Sequence, residues 1–100
     1  MILYNVTIKI DPEIKEEWLA WMKGKHIPDV MATGHFINYR LCRLLEQGEE
    51  EGETFVIQYE CESLHKYNHY ILHHAPSLRD EHNLLFKEHF IAFRTVMEVL

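Results

Sequence analysis

The sequence predicts an α+β domain built on a four-stranded antiparallel sheet. Three features point to it. The first ten residues alternate between apolar and polar; two further strand-like runs flank an acidic, glycine-bounded turn; and proline and serine signals open helical stretches after the first and third runs.

Met1 to Ile10 sets Ile2, Tyr4, Val6, Ile8 and Ile10 on one side and Leu3, Asn5, Thr7 and Lys9 on the other, a strand with one strongly apolar face. Asp11-Pro12-Glu13 then supplies an N-cap oxygen, a proline at the first helical position and an early carboxylate at the positive end of the helix dipole. The helix begun there has a buried stripe of Ile14, Trp18, Trp21, Met22 and the stem of Lys25. Gly24 weakens it and Pro28 moves Ile27 out of the helical region, so the helix is expected to end between them. A short extra turn follows, carrying Val30 and Met31 and closed by Thr33-Gly34.

Phe36 to Leu45 reads as the second strand, Gln47-Gly48-Glu49-Glu50-Glu51-Gly52 as a hairpin loop, and Thr54 to Cys61 as the third strand. Ser63 caps a helix whose core face is Leu64, Tyr67, Ile71 and Ala75. Pro76 interrupts it, and a further helix with Leu78, His82 and Leu85 in line runs to about His89. Phe90 to Met97 closes the chain as the fourth strand. The order β-α-β-β-α-β is the ferredoxin-like, split βαβ arrangement, here a single domain over residues 1–100.

Such a sheet carries its helices on one face. The other face is expected to be semi-apolar, because the second and third strands place apolar residues on both sides: Phe36, Cys42 and Leu44 against Ile37, Tyr39, Leu41 and Leu45, and Val56 against Phe55, Ile57 and Tyr59. With no spare element in 100 residues, a second copy of the chain is the cover expected, making a homodimer.

At 47% hydrophobic and 26% charged, the composition is that of an ordinary globular domain. A net charge of -6, with the ten basic residues scattered, argues against a nucleic-acid partner. No apolar run approaches the roughly 18 residues of a membrane span, and the strand-like N-terminus lacks a positively charged leader, so no membrane role and a cytoplasmic location are expected. Cys42 and Cys61 lie in strand-like runs without Cys-x-x-Cys spacing and read as small core residues in a reducing compartment.

The runs ILYNVTIKID, WLAWMKGKHIP with ATGHF, and FIAFRTVMEV resemble a bacterial family of domains of unknown function, DUF4286-like, over essentially the whole chain. That family is similar to the dimeric α/β-barrel superfamily. The resemblance implies two ferredoxin-like sheets packed into a shared barrel with a cavity in each half. Members include cofactor-free monooxygenases, muconolactone-isomerase-like and chlorite-dismutase-like enzymes, and stress-response proteins. Several branches place a histidine at the end of the first helix, then a proline, then a glycine before the second strand; His26, Pro28 and Gly34 match.

His26 has two readings: a cavity-facing imidazole that transfers a proton, or a helix-end residue bonding the last free carbonyls, which is the favoured one. On the sheet, Asn5, Thr7 and Lys9 share a face, and Arg40, Gln58, Glu60 and Arg94 line the same space if the partner strands turn their polar residues that way. That set is either a closed salt-bridge network, the favoured reading, or a pocket for an anionic or carbonyl ligand. His82, between Leu78 and Leu85, reads as a core histidine with one hydrogen-bond partner, or as a cavity lining. Trp18 and Trp21 read as core, with Trp21, one turn before His26, as a possible cavity wall.

His65, His69 and His73 stand four apart, a spacing that can chelate zinc, nickel or copper, but they drift toward solvent and an exposed polar row is expected instead of a metal site. There is no Gly-rich phosphate loop, no Gly-x-Ser-x-Gly and no Cys-His nucleophile arrangement, so no cofactor is assigned.

Three functions follow. The first is a binding module in which Asn5, Arg40 and Arg94 fix a small polar or anionic molecule, with Trp21, Glu60 and His82 lining the site and His26 at its mouth. The second is a cofactor-independent monooxygenase- or isomerase-like enzyme with His26 as general base. The third is a structural dimer with a filled interior. A void of roughly 300 Å³ or more with His26 pointing inward separates the first two from the third.

Overall fold

The computed structural model describes residues 1–45 and 52–100. Strand β1 (Ile2–Ile10) leads through a 3₁₀ turn (Pro12–Ile14) into α1 (Lys15–Trp21), a π-helical turn (Met22–His26) and α2 (Ile27–Ala32). Then come β2 (Asn38–Arg43), β3 (Glu53–Cys61), α3 (Leu64–His73), α4 (Ala75–Phe86) and β4 (Phe90–Glu98). The expected order of strands and helices holds. The acidic hairpin loop lies, apart from Gly52, outside the described residues. Gly52 has φ 110°, and a Cβ there would run into Ile10 O, so only glycine fits at this position beside the end of β1.

The sheet is antiparallel throughout, with strand order β2-β3-β1-β4. It is an open sheet, and this corrects the expectation of an α/β barrel. β2 and β4 lie at opposite edges with β3 and β1 between them, and four strands at the usual twist of roughly 20–25° per neighbour cannot bring their edges together.

One face carries Ile2, Tyr4, Ile8 and Ile10 of β1 and Phe55, Ile57, Tyr59 and Cys61 of β3, all buried. Trp18, Met22, Ile27, Val30, Tyr70, Ala75 and Phe86 from the helical segments complete that core. On the opposite face the apolar side chains of β4 are open: Ile91 is 72% exposed, Phe93 59% and Met97 43%.

The first helix does not stop between Gly24 and Pro28. At Ile27 the backbone N–H bonds to Met22 O, five residues back. In a normal turn the Pro28 ring would press on the carbonyl four residues earlier; the wider turn relieves that clash. The helix therefore runs on to Ala32.

β2 is shorter than expected, since Phe36 is buried in the core before the strand begins at Asn38. Asp11 does not cap its turn; its carboxylate meets His89 Nδ1 at 3.1 Å. Ser63 does cap α3, accepting from Lys66 N–H. Pro76 sits in the first turn of α4, where its missing N–H costs nothing. The expected faces of these helices hold at Tyr67, Ile71, Ala75, Leu78 and His82, but Leu64 and Leu85 are exposed, and Tyr70 and Phe86 are covered as well. Cys61 is buried, whereas Cys42, expected in the core, is exposed on the edge strand; both are free thiols. Among the described residues no helix is long and apolar enough to cross a membrane.

Candidate active site

The ladder fixes which polar residues meet. Asn5 faces Gln58 and Thr95 across its two neighbours, Arg40 faces Gln58, and Glu60 faces Leu3 and Asn38, so Asn5, Arg40 and Glu60 share the helix-free face. Asn5 Nδ2 lies 3.4 Å from Thr95 Oγ1, and its buried Oδ1 has no partner among the described residues. Arg94 pairs with Val6 and not with Asn5, which places it on the helix-bearing face. This corrects the grouping of Arg94 with Asn5 and Arg40. It instead joins His26 and His82 of the helical layer, against which Trp21 packs without lining the space they share with Arg94.

Two imidazoles of that layer face each other. Trp18 Nε1–H donates to His82 Nε2 at 2.9 Å in a buried contact. An indole N–H only donates, so His82 Nε2 carries the lone pair and Nδ1 the proton. His26 stands opposite, its ring 5.9 Å from that of His82 and 5.2 Å from that of Trp21. The continuous helix leaves no terminal carbonyl for His26 to cap. Its Nδ1 is buried without a hydrogen-bond partner among the described residues.

Burial lowers the His26 pKa to about 4, with Arg94 and Lys25 acting the same way and Asp29 opposing. Burial likewise lowers His82 to about 4, reinforced by His26 and Arg94 and opposed by Asn83. Both rings are uncharged at neutral pH.

Both line a cavity between helices and sheet whose enclosed volume is about 30 Å³, room for one or two waters. Its walls include Tyr4, Tyr59 and Tyr70, with burial pushing the last two phenols' pKa values up. Arg79, Phe90, Ala92 and Arg94 line it and also line a groove of about 750 Å³ between α4 and β4. The enclosed part is far smaller than the roughly 300 Å³ of a ligand pocket, and the groove is larger.

The sequence pointed to no site role for Arg79, Tyr4, Tyr59 or Tyr70. Arg79 Nη2 donates to Tyr4 OH at 3.0 Å, while its buried Nε has no partner. The available signal was spacing: Arg79 lies three residues before His82 on α4, hence on the same side. Of the histidine row, His65, His69 and His73 are exposed on α3, as expected, but His69 also meets His35 from the loop before β2.

The family model described as Domain of unknown function (DUF4286) matches residues 1–100. Among curated proteins no sequence matches. Solved structures resemble the whole chain. An ethyl tert-butyl ether d (ethd) family protein from Bacillus halodurans is 11% identical, with all of both chains covered and a TM-score of 0.72. An antibiotic biosynthesis monooxygenase is 16% identical, covering 100% of this chain and 99% of the other, with a TM-score of 0.67. SnoaB, a cofactor-independent oxygenase from Streptomyces nogalater, is 8% identical, covering 99% and 92%, with a TM-score of 0.64. At these identities the likeness is one of fold.

Proposed function

We propose, for a chain that belongs over residues 1–100 to the family described as Domain of unknown function (DUF4286), a cofactor-independent enzyme of monooxygenase or isomerase type. Its first chemical step is removal of a proton from a phenolic or enolic small molecule by His26. One observation carries this reading: an uncharged His26 Nδ1 with no hydrogen-bond partner lines a cavity whose outer wall holds two guanidiniums, Arg79 and Arg94. No carboxylate forms an ion pair with either among the described residues.

The substrate lies in the groove between α4 and β4 and presents its acidic group at the inner end, since the enclosed space is too small for a whole ring system. The proton passes to His26 Nδ1, and the negative charge left on the substrate oxygen is held by Arg79 and Arg94. A ring of pKa about 4 is a weak base in the free protein. The anion it creates stabilises the imidazolium beside it, so His26 becomes basic in company with its product. His82, pinned by Trp18, keeps one tautomer and fixes the wall against which His26 packs. In the oxygenase case dioxygen then oxidises a substrate methylene to a carbonyl, one oxygen entering the product and the other leaving as water. In the isomerase case the proton returns at another carbon. The simple binding module is the weaker reading, because the residues assigned to it divide between the two faces of the sheet.

Oxygen uptake with electron-rich polycyclic phenols tests the reading, with product analysis for isomerisation. His26→Gln is expected to lower kcat by about 100- to 10,000-fold while leaving the circular dichroism spectrum unchanged. Turnover by the variant at the wild-type rate would remove His26 as the base.

A homodimer is the second part of the proposal. The exposed Ile91, Phe93 and Met97, with the partnerless Asn5 Oδ1 beside them, support self-association through the helix-free face, each sheet staying open. Sedimentation should give twice the chain mass, and Phe93→Glu should return it to one; a monomeric wild type at micromolar concentration rules the dimer out. The exposed free thiol of Cys42 supports a cytoplasmic setting.

A further inference from the structure

On the other side of Tyr70, a wall of the His26 cavity, the loop before β2 and the end of α3 bring histidines together. A ring nitrogen from each of His35, His69 and His74 lies within 4.8 Å of the other two. The His35 and His74 ring centroids are 4.9 Å apart, and His73 adds a fourth ring 4.2 Å from that of His69. Among the described residues the ion pairs made by histidine involve His89 alone, so no carboxylate balances these imidazoles.

The tautomers can be read from the partners. His35 Nδ1 lies 3.0 Å from Thr33 O, and a carbonyl oxygen only accepts, so that nitrogen carries the proton. His35 Nε2 is left with its lone pair pointing at His69 Nδ1, 2.8 Å away. A ring whose far N–H is held by a backbone carbonyl, so that the other nitrogen is presented outward in a fixed direction, is the arrangement in which proteins hold metal-binding histidines. His35 is further placed by Gly34, whose φ of 80° makes the turn before it, and by its own carbonyl, which accepts from Cys61 Sγ at 3.2 Å.

From this juxtaposition of His35, His69 and His74 we propose a site for a divalent transition-metal ion of the zinc class, held by three neutral imidazoles. Zinc takes imidazole nitrogen at about 2.0–2.1 Å in tetrahedral array, which sets ligand nitrogens about 3.3 Å apart. The half-buried His35 and His74 keep their places, and the exposed His69 turns to close the remaining distance, giving up the hydrogen bond to His35 and moving its proton to Nε2. Neutral imidazole suits zinc, copper and nickel; magnesium and calcium prefer oxygen. Three ligands leave one tetrahedral position on the solvent side for water or for His73. The ion ties the Gly34-His35 loop to the end of α3, segments 34 residues apart in sequence. The spacing of histidines along α3 did not point to it, since that row pairs exposed residues four apart and omits His35.

Isothermal titration calorimetry of the full, tag-free chain with zinc chloride near neutral pH tests the site. One zinc per chain is expected, with affinity reduced at least about tenfold in His35→Gln and again in His74→Gln. His65→Gln, on the same helix but outside the triad, should bind as the wild type does. Zinc should also raise the melting temperature of the wild type and leave that of His35→Gln unmoved, a comparison each folded variant supplies for itself. Absence of binding at micromolar zinc overturns the proposal. So does unchanged affinity in His35→Gln, which would assign the ion to the exposed histidines of α3 alone.

Discussion

Replacing Trp18 by Ala is expected to destabilise the fold by about 4–5 kcal/mol. Trp18 is fully buried, its ring packed 5.4 Å from Phe55 of β3 and edge-on to His82 of α4. It is the side chain that joins the first helical segment, the sheet and the last helix. Deleting it leaves a large void, and truncations of this kind cost about 3–5 kcal/mol. His82 Nε2 would also lose its donor, and an orphaned buried acceptor costs about 1–3 kcal/mol. The two costs overlap where the void admits water. Against a usual stability of roughly 5–15 kcal/mol, the variant stands near the unfolding threshold. Trp18→Phe separates the contributions: it keeps most of the apolar volume, removes the N–H, and should lose about 1–3 kcal/mol. Urea denaturation of both measures the difference. Equal, small losses would mean that Trp18 is not the joint described.

The strong local signals in the sequence survive in the structure because tertiary contacts agree with them. The alternation of β1 matches a strand buried on one face, and Ser63 caps α3 through its own hydroxyl. Where local and tertiary preferences conflict, the sequence misleads. Gly24 and Pro28 read as a helix end, yet burial of Ile27 and Val30 outweighs both, and a π turn reconciles the proline with a continuing helix. That turn carries the helix through His26, which therefore lies within a continuous helix and not at the free end that Gly24 and Pro28 suggest. Arg94 was misplaced for another reason. Alternation within β4 shows two faces, but only the pairing of Val6 with Arg94 decides which one meets the helices. The His35 contact with His69 is legible only once α3 is folded against the loop before β2. Closure into a barrel had its source in the resemblance and not in the strands themselves, whose four-membered sheet is open at both edges.

Acidification is expected to remove on the order of 5 kcal/mol of stability between about pH 6.5 and pH 4, a window whose lower end overlaps the titration of the glutamates. The source is the pair His26 and His82, both with pKa lowered from 6.5 to about 4, chiefly by burial. The sign follows from proton uptake. Within this window the unfolded chain protonates both rings and the folded chain does not, so protons favour unfolding and stability falls as pH falls. Below about pH 4 the folded rings protonate too, and this contribution levels off. Each histidine supplies on the order of 2–3 kcal/mol once solvent reaching the ring is allowed for, and their proximity makes them titrate as a pair. His69, exposed and also lowered, acts in the same direction. Urea midpoints measured across the window should fall steadily for the wild type. His26→Gln, which carries no titrating ring, should flatten the slope by about half. A wild-type midpoint constant from pH 6.5 to pH 4.5 would show that His26 is reached by water in the folded chain. It would then be protonated as readily as in the unfolded chain, and its role as an uncharged base facing Arg79 and Arg94 would fail with the pH dependence.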